Sequence, residues 1–236
     1  MNSTGNPPIT IVVPTYNELG NVAPLVEQLA VALSETRFRV LFADDSNDGT
    51  TDEIRRLAAR DSRVQLNYAS RRRGLARAVV AALQEVSEEL VVVMDGDLQH
   101  PPALVPRLLA ELTAGADVAV ASRYADGGRE LGLAGPLRRL VSWASTRLSQ
   151  LSLPRARRTT DPLSGFFAFR RSVLQGVSLR PVGFKILLEI LVRGQAQRVA
   201  DVPYTFDRRL RASSKASPRQ GLAFLWHLLR LRTARG

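Results

Sequence analysis

Short runs of β-branched residues alternate with helical periodicity through the first half of the chain, and this alternation restricts the fold more than any other feature. Strands are predicted at residues 9–13, 38–43, 64–68, 90–94 and 118–121. Helices are predicted between them at residues 21–33, 51–60, 75–86 and 103–112. Strands that alternate with helices form a mostly parallel sheet with helices on both faces. We therefore expect an α/β fold.

Polar motifs follow three of the predicted strands. In an open parallel sheet, ligands bind in the crevice beyond the carboxyl ends of the strands. The loops that follow Val13, Ala43 and Met94 should therefore border one site.

The second half of the chain is less regular. Two more strands are expected at residues 166–169 and near 199–204, and two basic helices at 136–151 and 219–232. Both helices mix leucine and tryptophan with arginine, which is typical of amphipathic helices at a membrane surface. Packing against the core is an equal alternative for the first of them. We expect one domain over residues 1–217, followed by an amphipathic interfacial helix or tail over residues 218–236.

The charge balance favours anionic partners. The chain carries 33 basic and 22 acidic residues, for a net charge of +11. Nucleic acid, anionic lipid and phosphorylated substrates all suit such a surface. The chain has no cysteine, so any metal must bind oxygen ligands or the two histidines.

The distribution of apolar residues argues against membrane insertion and export. No run reaches the roughly 20 apolar residues that a transmembrane helix needs. Residues 1–8 are polar and lack the charged start and apolar stretch of a signal peptide. We therefore expect a cytoplasmic location and no transmembrane helix.

Asp95 and Asp97 come directly after an apolar strand, with Gly96 between them. Two carboxylates at such a strand end can converge on a hard cation that also binds diphosphate oxygens. A helix N-cap ahead of Pro101 and Pro102 is the alternative, but it would use only one of the two acids. The pair therefore favours a divalent metal site.

The other two loops are compatible with nucleotide binding without requiring it. Asp44 and Asp45 can hydrogen-bond a ribose or a base from this position, although residues 46–50 also suit a simple turn and helix start. Tyr16 and Glu18 can contact a nucleoside in the same way, although capping of the next helix is equally compatible.

Taken in order, these motifs form a set that is more specific than any of its members. The set comprises PTYNE at 14–18, ADD at 43–45, DGDLQHPP at 95–102, SRY at 122–124 with Gly127 and Gly128, DPLSGFFAFR at 161–170 and GFKILLEI at 183–190. It resembles the GT-A glycosyltransferases of family 2, and its downstream members resemble the dolichol-phosphate (polyprenyl-phosphate) mannosyltransferase branch. The sequence departs from the family pattern in a loop at 44–49 that is one residue short and in Ala212, where a glycine is usual.

The resemblance implies a role for each matched position. The nucleotide-sugar donor would contact Pro14, Tyr16, Glu18, Ala43, Asp44, Asp45, Gly96, Gln99, Asp161, Lys185, Arg209 and Lys215. The ligands of Mg²⁺ or Mn²⁺ would be Asp95, Asp97 and Gln99. The acceptor phosphate would lie against Arg123, Arg138 and Ser142.

The resemblance also implies the reaction. A sugar, expected to be mannose from GDP-mannose, would pass to a polyprenyl or dolichyl phosphate with inversion, at the cytoplasmic face of a membrane. The protein would bind there peripherally, with or without a small membrane partner subunit. Within the glycosyltransferases, the alternative is transfer of glucose or another sugar to the same lipid phosphate, or transfer to a sugar or protein acceptor.

Two other functional classes are weaker. A module that binds anionic lipid or RNA would leave the acids at Asp44, Asp45, Asp95 and Asp97 without a role, so no nucleic-acid partner is expected. A nucleotide-dependent oxidoreductase is disfavoured because no G-x-G-x-x-G motif follows the first strand.

Overall fold

The computed structural model describes residues 8–69, 72–130, 135–183, 185–206 and 218–233. The strands are β1 (Ile9–Thr15), β2 (Phe38–Asp44), β3 (Val64–Tyr68), β4 (Leu90–Val93), β5 (Val118–Ser122), β6 (Arg129–Glu130), β7 (Phe167–Arg170), β8 (Val199–Pro203) and β9 (Thr205–Phe206). The helices are α1 (Val22–Ala32), α2 (Thr50–Ala58), α3 (Leu75–Leu83), α4 (Val105–Thr113), α5 (Pro136–Ser152), α6 (Ile186–Arg193) and α7 (Pro218–Thr233). Short 3-10 helices lie at Pro102–Leu104, Pro154–Arg158 and Arg171–Leu174.

Seven strands form the main sheet in the order β3-β2-β1-β4-β7-β5-β8, and β6 pairs with β9 in a separate two-stranded sheet. In the main sheet β7 runs antiparallel to its neighbours β4 and β5, whereas the other pairs are parallel. The expected mostly parallel α/β fold is therefore confirmed. The antiparallel direction of β7 is a feature that the sequence pattern did not predict.

Both faces of the sheet are buried, which explains why its strands are continuous apolar runs. Successive side chains of a strand point to opposite faces. In β1, Ile9, Ile11 and Val13 join the core that contains side chains of α1, α2 and α4. Val12 points the other way, into the core that contains side chains of α3 and α6. Helices therefore cover both faces, as expected.

β1 continues through Pro14 instead of ending before it. The Val12 carbonyl accepts from the Met94 N–H on the β4 side, and the Thr15 carbonyl accepts from the Asp45 N–H on the β2 side. Successive residues of β1 direct their backbone groups alternately to β4 and to β2. An N–H at Pro14 would therefore point to the β4 side, just beyond the end of β4. The proline therefore interrupts no ladder hydrogen bond.

The terminal helix α7 packs on the main body of the protein. Leu228 and Leu231 share a buried cluster with Leu188 and Val192 of α6. His227 is also buried, and its Nε2 lies 2.7 Å from Glu189 Oε2 of α6. One side of α7 is therefore fixed by both apolar contacts and a buried polar pair.

None of the helices within the described ranges is long and apolar enough to cross a membrane.

Candidate active site

A cavity of about 470 Å³ opens at the carboxyl ends of β1, β2 and β4. Its walls include most of the residues that the sequence placed at one site. These are Pro14, Tyr16, Glu18, Ala43, Asp45, Asp95, Gly96, Asp97, Arg123 and Lys185. The order of the strands brings the three loops together, because β1 lies between β2 and β4.

The loops after β1 and β2 hold each other in place. Asn17 has a φ of 59°, a left-handed conformation that is unusual for a residue with a side chain. Its N–H donates to Ser46 Oγ, and its Oδ1 accepts from the Asn47 N–H. The Glu18 N–H donates to Thr50 Oγ1 at the start of α2. These cross-links compensate for the strained backbone and fix Tyr16 and Glu18 at the cavity wall.

Asp44 and Asp45 lie side by side at the end of β2, and of these two only Asp45 lines the cavity. Asp44 is fully buried, and its carboxylate accepts hydrogen bonds from Thr15 Oγ1, Thr51 Oγ1 and Ser46. The structure does not support the predicted contact between Asp44 and the nucleotide-sugar donor. Asp44 does not line the cavity, and its oxygens accept hydrogen bonds inside the loop. Asp44 thus supports the loop from which Asp45 reaches the cavity.

Arg72 and Arg73 belong to this wall although the sequence reasoning did not select them. The Arg72 guanidinium carbon lies 3.9 Å from the centre of the Tyr16 ring, and both residues line the cavity. Asp45 Oδ2 accepts from the Arg73 and Gly74 N–H groups at 2.9 and 2.7 Å. Three consecutive arginines before a glycine, at 71–74, were the available signal.

The acid pair follows β4 in a tightly packed turn. A Cβ on Gly96 would lie 3.1 Å from Thr15 Cγ2 and 3.3 Å from Val13 Cγ1, so a larger residue would need these β1 side chains to shift by a few tenths of an ångström. Asp97 Oδ1 accepts from the Gln99 N–H, and Leu98 between them has a φ of 62°. Asp95 and Asp97 both line the cavity, whereas Gln99 is buried outside its lining.

The alternative of a helix cap is not supported at this turn. Pro101 occupies the N-cap position of the 3-10 helix Pro102–Leu104, and no side chain caps that helix. Neither acid is thus used as a cap of this 3-10 helix.

The two carboxylates suit a divalent cation that is shared with a ligand. The described part of the chain contains no group of three or more metal-binding side chains. Mg²⁺ commonly binds one or two carboxylates and completes its octahedron with phosphate oxygens and water. The donor set of Asp95 and Asp97 fits this mode and would leave positions for a diphosphate.

His100 holds the backbone of the acid pair in place. Its Nδ1 accepts the Asp95 N–H at 3.0 Å, so this nitrogen carries no proton. The ring is buried and stacks on Phe166, with a distance of 5.1 Å between ring centres. Gly165 also lies against Asp95, since a Cβ there would come within 3.0 Å of Asp95 Oδ2. The packing fixes the backbone from which Asp95 projects.

We expect His100→Phe to weaken Mn²⁺ binding by about tenfold, because residues that orient metal ligands contribute to affinity on this scale. Phenylalanine keeps a ring in the aromatic cluster but leaves the Asp95 N–H without its acceptor. His100→Asn should recover part of the affinity, since its amide oxygen can accept the same N–H. The measurement is a titration of Mn²⁺ in the presence of a nucleoside diphosphate, with thermal unfolding as the folding control. Equal affinity in both variants would contradict the role of this hydrogen bond.

Arg123 and Lys185 form a basic part of the cavity wall, whereas Asp161, a predicted donor contact, is buried behind Arg123 and does not line the cavity. Arg123 Nε and Nη2 donate to the two carboxylate oxygens of Asp161, which is fully buried, at 2.7 and 3.0 Å. Burial opposes the charged form of Arg123, but Asp161 outweighs it and raises the pKa of the guanidinium. Lys185 Nζ donates to the Leu163 carbonyl. The acid pair and these cations thus border one space.

Tyr204 and Phe206 close the cavity beside the ion pair and were also missed by the sequence reasoning. Both line the cavity, and the Arg123 guanidinium carbon lies 5.7 Å from the centre of the Phe206 ring. Burial raises the pKa of the Tyr204 phenol well above its usual value, so the phenol stays protonated. No motif at these positions signalled a role.

The ammonium of Lys185 is sensitive to pH. Burial, followed by the positive charge of Arg123, lowers the pKa of Lys185 to about 8. A lysine with a lowered pKa loses its charge as the pH rises through that value. We therefore expect kcat/KM for an anionic donor to fall above pH 8. Lys185→Arg, which keeps its charge, should remove this dependence; a pH profile that is the same in both proteins would contradict it.

The remaining predicted residues lie elsewhere. Ser142 is hydrogen-bonded to the Tyr124 hydroxyl, and Arg138 is exposed on α5; neither lines the cavity. Tyr124 is adjacent to Arg123, whose guanidinium carbon lies 5.2 Å from its ring centre. Ser142 is thus linked to the cavity indirectly, by its contact with Tyr124, which in turn contacts Arg123. Arg209 and Lys215 are outside the described residues.

Known proteins resemble this chain over most of its length. Residues 10–177 match the family model described as "Glycosyl transferase family 2". The chain is 37% identical over 225 residues to a dolichol-phosphate mannosyltransferase of Pyrococcus furiosus, covering 94% of this chain and 63% of that protein. The chain thus spans less than two thirds of that relative. A dolichol-phosphate mannosyltransferase of Saccharomyces cerevisiae is 33% identical, with 94% of this chain and 86% of that protein covered.

A solved structure shows the same fold. It is glucosyl-3-phosphoglycerate synthase from Mycobacterium tuberculosis in complex with Mn²⁺, UDP-glucose and glycerol 3-phosphate. The TM-score is 0.68 at 20% identity, over 98% of this chain and 82% of that one. The family match covers the loops after β1, β2 and β4 and Arg123, whereas the cavity residues Lys185, Tyr204 and Phe206 lie beyond it. The chain therefore belongs to glycosyl transferase family 2, lies in its dolichol-phosphate mannosyltransferase branch and is a glycosyltransferase.

Proposed function

We propose that this protein transfers mannose from GDP-mannose to a polyprenyl or dolichyl phosphate, with inversion at the anomeric carbon. The observation that carries the proposal is one cavity lined both by carboxylates, Asp95 and Asp97, and by cations, Arg123 and Lys185. Such a cavity suits a reaction between two phosphate-bearing substrates. The relatives named as dolichol-phosphate mannosyltransferases support the choice of sugar and acceptor.

The acceptor requires little acid–base chemistry. A phosphate monoester is already an anion at neutral pH, so the attack on the anomeric carbon needs no strong general base. Arg123, held by Asp161, presents a fixed guanidinium to the acceptor phosphate and orients it. Lys185 lies on the same wall and neutralises phosphate charge while it is protonated. Catalysis in this proposal rests on position and charge.

A divalent metal at Asp95 and Asp97 is part of the proposal. Such a metal would neutralise charge on the departing diphosphate. The M. tuberculosis structure contains Mn²⁺ together with a nucleotide-sugar, which supports a divalent ion here. Glu18, Tyr16 and Asp45 would then lie on the nucleoside side.

The test of this function is incubation with polyprenyl phosphate, a divalent metal and each of GDP-mannose, UDP-glucose and UDP-GlcNAc. Mass spectrometry of the lipid should show mannosyl phosphate from GDP-mannose alone, and none after chelation of the metal. Product from UDP-glucose alone would favour the glucosyl alternative. Transfer of the sugar to water or to a soluble acceptor, with none to the lipid, would contradict the proposed acceptor.

A membrane surface formed by α5 and α7 would give access to the lipid. The two helices contact each other. In α5 the buried positions include the polar residues Thr146 and Ser149, whereas Trp143 is 50% exposed. A helix that packed on the core with its apolar side would show the reverse pattern. The exposed apolar residues of the two helices are Leu140, Val141, Trp143, Leu148, Leu151, Leu222, Leu225, Trp226 and Leu229.

We expect Trp226→Ser combined with Leu229→Ser to reduce binding to lipid vesicles by at least about tenfold, since each large apolar side chain contributes on the order of 1 kcal/mol or more when it leaves water. Both residues point away from the core, so the fold should be retained. Val31→Ser on α1 is the matched control, because Val31 is exposed on another helix. Vesicle co-sedimentation measures the effect. Equal loss in the Val31 variant would rule out a specific surface on α7.

A further inference from the structure

A second cavity, of about 600 Å³, lies away from the candidate active site and has a basic wall. Three arginines line it: Arg155 from the 3-10 helix Pro154–Arg158, Arg180 from the loop before α6, and Arg193 from the end of α6. Within the described ranges, no Asp or Glu lines it. α6 begins at Ile186 beside the first cavity and ends at Arg193, and a helix of its length spans about 12 Å. The two cavities are therefore separate.

Two of the three guanidiniums are held in position by the protein itself. Arg155 Nη1 donates to the carbonyls of Val192 and Gly194, which lie at the end of α6. Arg193 Nε lies 2.6 Å from Glu189 Oε1, and the Glu189 side chain is fully buried. These contacts use one nitrogen of each arginine. The other nitrogens are thus presented by anchored side chains, which lose less freedom when they bind a ligand.

Arg180 completes the wall and is not paired. Its backbone N–H donates to Glu189 Oε1, which fixes the loop. Across the described ranges, its guanidinium makes no ion pair and no hydrogen bond. Three like charges around one cavity repel each other, and the buried Glu189 offsets part of that charge. An anion between them would relieve that repulsion and could form bidentate hydrogen bonds.

Apart from Ser178 and Gly176, the other described lining residues are apolar. Val177, Val192 and Leu231 line the cavity beside the arginines, and Leu231 belongs to α7. A phosphate group attached to an apolar moiety would match both parts of this wall. We propose that the arginine cavity is a second binding site, distinct from the active site, for a phosphate group carried by such an amphipathic ligand or supplied free in solution. The site goes beyond the proposed transferase function and does not depend on it.

The decisive comparison uses Arg180→Glu, because this side chain is exposed and holds no other part of the structure through its guanidinium. Arg107→Glu on α4 is the matched control, since Arg107 is exposed, lines neither cavity and changes the charge equally. Arg180→Gln is a second variant, which removes the cation without placing a new carboxylate near Glu189. Thermal unfolding and the affinity for GDP with Mn²⁺ should be unchanged in all three, which separates this site from the active site.

Two binding arms distinguish the source of the phosphate. In the first, inorganic phosphate and glycerol 3-phosphate are titrated calorimetrically against the protein with its active site saturated by GDP and Mn²⁺. In the second, the protein is sedimented with phosphatidylcholine vesicles, with and without phosphatidylglycerol. We expect both Arg180 variants to weaken binding by about tenfold in at least one arm, as loss of a charge-assisted hydrogen bond would, and Arg107→Glu to have little effect.

The two binding arms identify the source of the phosphate. An effect in the calorimetric arm alone supports a soluble phosphate ligand, and an effect in the anionic vesicle arm alone supports a lipid headgroup. Equal behaviour of the Arg180 and Arg107 variants in both arms would overturn the proposal, because binding would then reflect the overall positive charge. Absence of any phosphate binding to the saturated wild-type protein in both arms would overturn it as well.

Discussion

Asp97→Asn is expected to lower turnover by about a thousandfold at saturating donor and metal, because the substitution removes a charged ligand of the proposed metal, which would neutralise the charge that develops on the leaving diphosphate. The change is conservative for the fold. Asp97 Oδ1 accepts the Gln99 N–H, and the amide oxygen of asparagine can accept it too. The loss should therefore come from charge and not from a collapsed turn.

Initial rates over a range of Mn²⁺ concentrations measure the effect of Asp97→Asn. Asp52→Asn is the matched control, since Asp52 is an exposed acid on α2 that lies outside the cavity, and it should keep nearly full activity. If Asp97→Asn retained more than about a tenth of wild-type turnover in excess Mn²⁺, the proposed metal role of this carboxylate would be wrong, because loss of an electrostatic contact in a transition state costs more than that.

The strands of the first half could be predicted because burial on both faces gives each of them an apolar run that is visible locally. Leu90, Val91, Val92 and Val93 show this directly, as the first and third face one core and the second and fourth face the other. The direction of β7 could not be predicted in this way. An apolar run such as 166–169 has the same composition whether its neighbours are parallel or antiparallel, and the path of the chain decides between them.

The candidate site was predictable where each residue follows a strand of the parallel sheet. Asp45 and Asp95 come from different loops, yet the carboxyl ends of β2 and β4 necessarily lie at one edge. Tyr204 and Phe206 reach the same cavity by tertiary packing, which no local pattern encodes. No sequence pattern separates Asp44 from Asp45. Both carboxylates accept hydrogen bonds, and only the folded chain shows that Asp45 lines the cavity whereas Asp44 does not.

The second large effect is expected at the buried ion pair. Arg123→Gln should lower the free energy of unfolding by about 3 kcal/mol, because it leaves the carboxylate of Asp161 buried without its partner charge. Asp161 is 0% exposed, whereas the Asp61 carboxylate that pairs with Arg63 is partly exposed. Arg63→Gln is therefore the matched control and should cost less than about 1 kcal/mol. Chemical denaturation of both variants measures the difference.

The double variant Arg123→Gln with Asp161→Asn separates stability from catalysis. In the double variant two neutral amide side chains replace the two charges and can hydrogen-bond to each other. No unpaired charge is then buried, so most of the lost stability should return. Activity should not return, because no guanidinium then faces the acceptor phosphate from this wall of the cavity. Recovery of both stability and turnover would show that the pair only supports the fold. Loss of turnover in a protein as stable as wild type would instead show that Arg123 acts on the substrate.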